Sequence, residues 1–282
     1  MSKRNKYIIW LFVFLCIAII LLSFFGNGLT EGFDDNTDKS LPHIKYYVIT
    51  MGQPKRLENI RKETEKINAL RESVLDKFPS KIEFEIINAV NGDDLDLKKM
   101  VADGKIAKEV LTDSSYKGFG VIEKRKYEVG CYLSHIRTYE TIKSDVDSGI
   151  LDPKGYSIIF EDDLEIQDGY FTELQKAMNF LTKNRPDFDM LFLGLHSDKN
   201  DLIGDNVYRP NCKNIYNCYY SHAYLIPNDK VSKIMNMMEF IDNTVDIKMI
   251  DLSENGGLNV FRVMPDIVNQ NSPTTGSIIR DG

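Results

Sequence analysis

From His43 onward, short apolar runs alternate with longer amphipathic stretches, and that alternation constrains the fold more than any other feature of the chain. Tyr46-Tyr47-Val48-Ile49-Thr50 is β-branched and aromatic, as a strand requires. Pro54 opens a stretch in which Leu57, Ile60, Thr64, Ile67 and Leu70–Val74 recur at helical spacing until Pro79. Ile82–Ile86 alternates as a second strand. Asn91-Gly92-Asp93 is a turn, and the charged stretch Asp94–Lys126 predicts a loop with one short helix. Glu128–Ile142 carries Val129, Tyr132, Leu133, Ile136 and Tyr139 as an apolar stripe and predicts a helix. Ser157–Phe160 predicts a buried strand. A helix over Tyr170–Leu181, strands at Met190–Leu193 and Ala223–Ile226, a helix near Asp229–Met238 and a strand at Leu258–Met264 continue the pattern, and the polar tail after Pro265 predicts no element. Such alternation implies an α/β domain with a mixed, mostly parallel sheet flanked by helices on both faces.

The leader differs in character. Tyr7–Phe25 is an unbroken apolar run of roughly 19 residues, about the thickness of a bilayer core. Lys3, Arg4 and Lys6 precede it, whereas Glu31, Asp34, Asp35 and Asp38 follow, and the positive flank stays cytoplasmic. The expected layout is a cytoplasmic tail over 1–6, a transmembrane signal-anchor over 7–25, a polar stem over 26–41 and a catalytic domain over 42–282. That makes a single-pass type II membrane protein with its domain lumenal or extracytoplasmic. A cleaved signal peptide is the competing reading, but its apolar core is usually shorter, about 7–15 residues.

A net charge of −7 argues against a nucleic-acid partner, which requires a basic face. Cys16 lies in the apolar run, leaving Cys131, Cys212 and Cys218 in the domain, too few for a disulfide scaffold and without zinc-site spacing. Cys212 and Cys218 flank a short Tyr-containing loop; a pair in an oxidising compartment and two free thiols both remain open. Cys131 reads as a small buried hydrophobe.

The strand Ser157–Phe160 runs directly into Glu161-Asp162-Asp163. Ligands of α/β sheets collect beyond the carboxyl ends of strands. Along an extended chain Glu161 and Asp163 point one way and Asp162 the other, so two carboxylates can meet one hard cation, Mn²⁺ or Mg²⁺. Such a cation stabilises the charge of a departing diphosphate. The competing reading is a solvated acidic turn that caps the next helix.

The triplet is one of several ordered blocks that resemble glycosyltransferase family 25, which includes lipopolysaccharide and procollagen galactosyltransferases. Tyr47-Val48-Ile49-Thr50 with Arg56 resembles the opening strand and arginine of that family, and Asn88-Ala89-Val90-Asn91-Gly92 its Ala-x-x-Gly turn. Glu128-Val129-Gly130-Cys131-Tyr132-Leu133-Ser134-His135 is similar to its most recognisable helix. Ile158–Asp163 is similar to its metal motif, Ser221–Ile226 to its Ala-Tyr strand, Val245-Asp246 to its Val-Asp pair, and Pro265 with Gln270 to its closing segment. Thr50-Met51-Gly52-Gln53 departs from the usual Asn-Leu-Asp. The resemblance implies a GT-A-like fold, a UDP-sugar donor, transfer of galactose or glucose to a glycan or hydroxylated protein acceptor, and inversion.

Inversion in one displacement needs a general base near the acceptor hydroxyl. Asp246 is the candidate, with acceptor contact and helix N-cap as open alternatives. Glu161 and Asp163 are the candidate metal ligands. Arg56, Ser134, His135 and Asp162 are candidate donor-binding residues, with packing an equal alternative for Ser134 and His135. His196, His222 and Gln270 are candidate sugar or acceptor contacts. Two other functions fit the residues alone: a metal-dependent phosphohydrolase, and a catalytically silent, membrane-tethered glycan-binding module.

Overall fold

The computed structural model describes residues 43–74, 81–113, 116, 119–212 and 218–271. The expected transmembrane run and stem lie outside them, and among the described residues no helix is long and apolar enough to cross a membrane.

The chain begins with β1 (Ile44–Thr50), α1 (Pro54–Val74) and β2 (Phe84–Asn88). The second strand starts two residues later than expected because Ile82 is held outside the sheet. Asn68 clamps its backbone from both sides, its Nδ2 donating to the Ile82 carbonyl and its Oδ1 accepting from the Ile82 N–H, each at 2.8 Å. The charged stretch forms two short helices, α2 (Leu97–Ala102) and α3 (Glu109–Thr112), where one was expected. Then come α4 (Arg125–Asp147), β3 (Tyr156–Glu161), β4 (Leu164–Ile166) and α5 (Tyr170–Asn184). β5 (Met190–His196) is followed by β6 (Asn200–Gly204), β7 (Val207–Pro210) and β8 (Tyr219–Pro227). The described chain closes with α6 (Val231–Met237), α7 (Val245–Glu254), β9 (Val260–Val263) and β10 (Val268–Gln270).

Eight strands form one sheet in the order β2-β1-β3-β8-β5-β9-β7-β6. It is mixed, as expected, but antiparallel pairs are more numerous than the expected mostly parallel sheet would have. β1 runs parallel to β2 and β3, and β5 to β9, but β8 is antiparallel to both β3 and β5, and β7 to both β9 and β6. The reason is the connection. A parallel crossover needs a dozen or more residues and usually a helix; between β5 and β8 the chain makes the β6–β7 hairpin instead.

The sheet buries both faces, and the two-residue period of β1 sorts its side chains between them. Tyr47, Ile49, Ile159 and Tyr224 pack with Val129, Tyr132, Tyr139 and Ile142 of α4 and with α6 and α7. Tyr46, Val48, Ile158 and Leu225 pack on the other face with Ile60 and Ile67 of α1 and with Leu174, Met178 and Leu181 of α5. Each such apolar side chain contributes about 1.5–3 kcal/mol on burial. A disulfide joins Cys212 to Cys218, resolving the alternatives left open by the sequence, and both residues are buried.

The tail after Pro265 is an element after all. β10 pairs antiparallel with β4, Gln270 opposite Leu164, and Ile267 N donates to the Leu193 carbonyl at 2.9 Å, tying the tail to β5.

Candidate active site at the carboxyl edge of the sheet

The acidic triplet stands where β3 ends and the chain turns into β4. Ile49 of β1 is in register with Glu161, so the turn lies at the carboxyl edge of the parallel strands. The alternation of an extended chain stops at Glu161, since 162 and 163 form the turn itself. Asp162 and Asp163 therefore meet one guanidinium, while Glu161 reaches toward α4.

That guanidinium is Arg56, in the first turn of α1 and only 5% exposed. Its Nη1 lies 2.8 Å from Asp162 Oδ1 and 3.1 Å from Asp163 Oδ2. Asn59, one turn later, donates through Nδ2 to the carbonyls of Asp162 and Leu164 at 3.0 and 2.9 Å. Gln270 Nε2 donates to Asp163 Oδ2 at 3.0 Å, and Asn271 N to the Asp163 carbonyl at 2.6 Å. Arg56 thus braces the acidic turn, and Gln270 binds it from the chain's far end.

Burial opposes charge on Glu161, but His135, His222 and Arg56 outweigh it and hold its carboxyl below the ordinary range. Burial and the neighbouring Glu161 push Asp163 up, against the pull of Arg56. Burial also pushes Asp162 up to about 6, despite a hydrogen bond from Thr50 and the charge of Arg56.

One turn of α4 faces this edge. His135 is fully buried; its Nδ1 is 2.7 Å from the Tyr224 hydroxyl, which is 2.8 Å from that of Tyr139, and its Nε2 is 3.4 Å from Glu161 Oε1. That last contact is too poorly aimed to count as a hydrogen bond, so Nε2 is a buried polar atom without one. Cys131, one turn earlier, is half-buried, and burial together with Glu161, Asp246, Asp163 and Glu128 pushes its thiol well up. These carboxylates concentrate negative charge at this edge. Oxygen donors suit a hard divalent cation, and Glu161 and Asp163 are the candidates to hold one, with Asp163 Oδ2 already shared between Arg56 and Gln270.

The remaining candidates fall into three groups. Ser134 is committed to packing: its Oγ donates to the Gly130 carbonyl at 2.7 Å and accepts from Val90 N at 2.8 Å. It clips α4 to the 88–92 turn at a spot where a Cβ on Gly130 would come 2.7 Å from the Val90 carbonyl oxygen. Asp246 is half-buried in the first turn of α7, close enough to Glu128 and Cys131 to influence both. It is not the N-cap; that position belongs to Thr244, and Asp246 Oδ1 accepts from Ile247 N at 2.9 Å. His222 Nε2 donates to the Val268 carbonyl at 3.0 Å, fastening β8 to the tail, and His222 is among the groups that pull the Glu161 and Asp163 carboxyls down. His196 ends β5 on the exposed side.

Sequence reasoning missed Cys131, Glu128, Asn59 and Thr50. Cys131 was detectable: it precedes His135 by four residues on a helix, which puts both on one face. Glu128 accepts from Gly120 N at 3.0 Å, and the buried Arg125 donates to the carbonyls of Val110 and Asp113 at 2.6 and 2.7 Å. Together they fasten the 109–120 segment to the start of α4.

Residues 43–249 match the family model for glycosyltransferase family 25 (LPS biosynthesis protein). The chain is therefore a glycosyltransferase, and it belongs to family 25. The phosphohydrolase reading is set aside. A curated relative, "Procollagen lysyl hydroxylase and glycosyltransferase" of Acanthamoeba polyphaga mimivirus, is 27% identical over 121 residues, 42% of this chain. The match spans only 12% of that relative's length. Among solved structures, the apo form of mouse Xyloside xylosyltransferase 1 aligns over 77% of this chain and 84% of its own, with 8% identity and a TM-score of 0.31.

Proposed function

We propose that the chain transfers a hexose, galactose or glucose, from a UDP-sugar to a hydroxyl of a glycan or hydroxylated protein, with inversion, on a GT-A-like domain. The observation that carries this reading is the braced acidic turn at the carboxyl edge of β1 and β3 in a family 25 chain. Glu161 and Asp163 hold a divalent cation, Mn²⁺ or Mg²⁺, which when bound stabilises the charge of the departing diphosphate. Arg56 and Gln270 fix the orientation of Asp163, so little reorganisation is needed as that charge develops. The Asp246 carboxylate, in the first turn of α7, takes the proton of the acceptor hydroxyl. Asp162, tied to Arg56 and Thr50, positions the turn beside the donor.

The Tyr7–Phe25 run anchors the protein, with the domain lumenal or extracytoplasmic; the basic residues before the run and the acidic ones after it support that orientation. The deciding experiment is a donor panel. The full chain, purified in detergent, is incubated with Mn²⁺ and individual UDP-sugars, and products are read by mass spectrometry with and without EDTA. Transfer from one UDP-hexose, abolished by EDTA and restored by Mn²⁺, is expected; transfer unaffected by EDTA, or none from any UDP-sugar, overturns the reading. Protease protection in sealed membranes tests orientation, and digestion from the cytoplasmic side would refute it.

A further inference from the structure

Beside the carboxylates assigned to a hard cation lies a donor set of different chemistry. Cys131 Sγ, a ring nitrogen of His135 and a Glu161 carboxylate oxygen all come within 4.8 Å of one another. Cys131 and His135 are separated by one turn on the same face of α4, and Glu161 arrives from the end of β3. We propose that these three residues form a site for a borderline-soft divalent cation, Zn²⁺ or Co²⁺, which goes beyond the transferase reading and shares with it only Glu161.

Three observations support the site. A thiolate, an imidazole and a carboxylate, with a water in the fourth position, are a tetrahedral donor set for zinc, whereas Mg²⁺ and Mn²⁺ favour oxygen. His135 is fully buried, and its Nε2 lies 3.4 Å from Glu161 Oε1 without making a hydrogen bond, which leaves its lone pair for a metal. The other ring nitrogen is already provided for. Metal-ligating histidines donate their second N–H to an oxygen that fixes tautomer and ring orientation. Nδ1 of His135 meets the Tyr224 hydroxyl at 2.7 Å, and that hydroxyl is itself held by Tyr139 at 2.8 Å.

Binding exchanges a proton for the cation: the Cys131 thiol proton leaves to solvent as the sulfur–metal bond forms, and no electron is transferred. Glu161 cannot serve both ions in full, so occupation by a softer cation withdraws a ligand from the hard-cation site. The result is a transferase whose donor site is sensitive to zinc.

The test uses Co²⁺ alone as the probe, added to the purified full chain. The thiolate-to-cobalt charge-transfer absorption should appear at one equivalent, release one proton and vanish when Zn²⁺, but not Mg²⁺, is added. Cys131→Ser should abolish the band, and His135→Gln should weaken binding by about tenfold or more. Asp163→Asn should leave the band in place. Circular dichroism and melting curves establish that each variant is folded, and Glu161→Gln, which keeps its size, provides a second ligand deletion that should also weaken binding. No band in the wild-type chain, or a band that survives Cys131→Ser, overturns the proposal. Sugar transfer measured on the same preparations separates the two readings, because a band without transfer refutes only the proposed function and transfer without a band refutes only this site.

Discussion

Helices α4 and α5 pack on opposite faces of the same sheet, yet their buried sides differ in kind. α5 buries Phe171, Leu174, Ala177, Met178 and Leu181, an apolar side broken only by the Tyr170 hydroxyl. α4 buries Ser134, His135 and Thr138 among its aromatic residues and turns Cys131 toward the acidic turn. Burying polar groups costs free energy unless they find partners, and the surroundings of α4 provide most of them: Val90 of the 88–92 turn, with Gly130 of the helix itself, for Ser134, and Tyr224 of β8 for His135. The contrast distinguishes a helix that holds the sheet together from one that carries chemistry.

The sharpest way to break that contrast is through α5. Leu174→Ala should cost about 2–5 kcal/mol of stability by leaving a cavity, read by denaturant unfolding, while turnover per folded molecule stays unchanged. A large change in turnover would mean that α5 is more than scaffold. Asp163→Asn, on the side that α4 faces, should do the reverse. Transfer should fall by about a hundredfold or more, the scale for losing one preorganised electrostatic contact, with a melting temperature close to that of the wild type. Ser134→Ala should cost about 1–3 kcal/mol, because the Val90 N–H loses its partner; a neutral result would put the site side of α4 on the same footing as a solvated face.

The smallest effect concerns pH. Asp162 titrates at about 6 in the folded chain against an ordinary 3.8, so folding favours its protonated form. The stability it contributes is present below the ordinary value and lost as pH rises through about 6. Asp162→Asn has no such group, so without metal its stability relative to the wild type should climb between about pH 4 and 6. A flat difference across that window would show that Arg56 fully compensates the buried charge.

Much of this was legible in the sequence. The period of the apolar residues located nearly every helix and central strand, and the run into Glu161-Asp162-Asp163 located the site. What failed did so for physical reasons. Leu133 and Ile136 completed the apolar stripe of α4 on paper, but they are only half-buried, because the sheet receives the Ser134 and His135 side instead. The β6–β7 hairpin lies at the sheet's edge, with Leu202 60% exposed and Val207 fully buried, so its core-facing pattern is too short to detect. The three residues of β10 are too few to show a period at all. The brace that Arg56 forms could not be read from the sequence, because the carboxylates that bury it are more than a hundred positions downstream; only the register of β1 with β3 brings them together.

The pairing of β10 with β4 has a consequence for how the protein is made. Asp163 receives Gln270 from 107 positions later in the chain. Domains emerge from the ribosome amino end first, so β1, α1 and the acidic turn can assemble while the tail is still being synthesised. Until that tail arrives, Asp163 lacks Gln270 and Asn271, and His222 lacks the Val268 carbonyl. A chain interrupted before Val268 would carry the acidic turn with its orientation unset, so synthesis of the β10 segment is itself the step that arms the site.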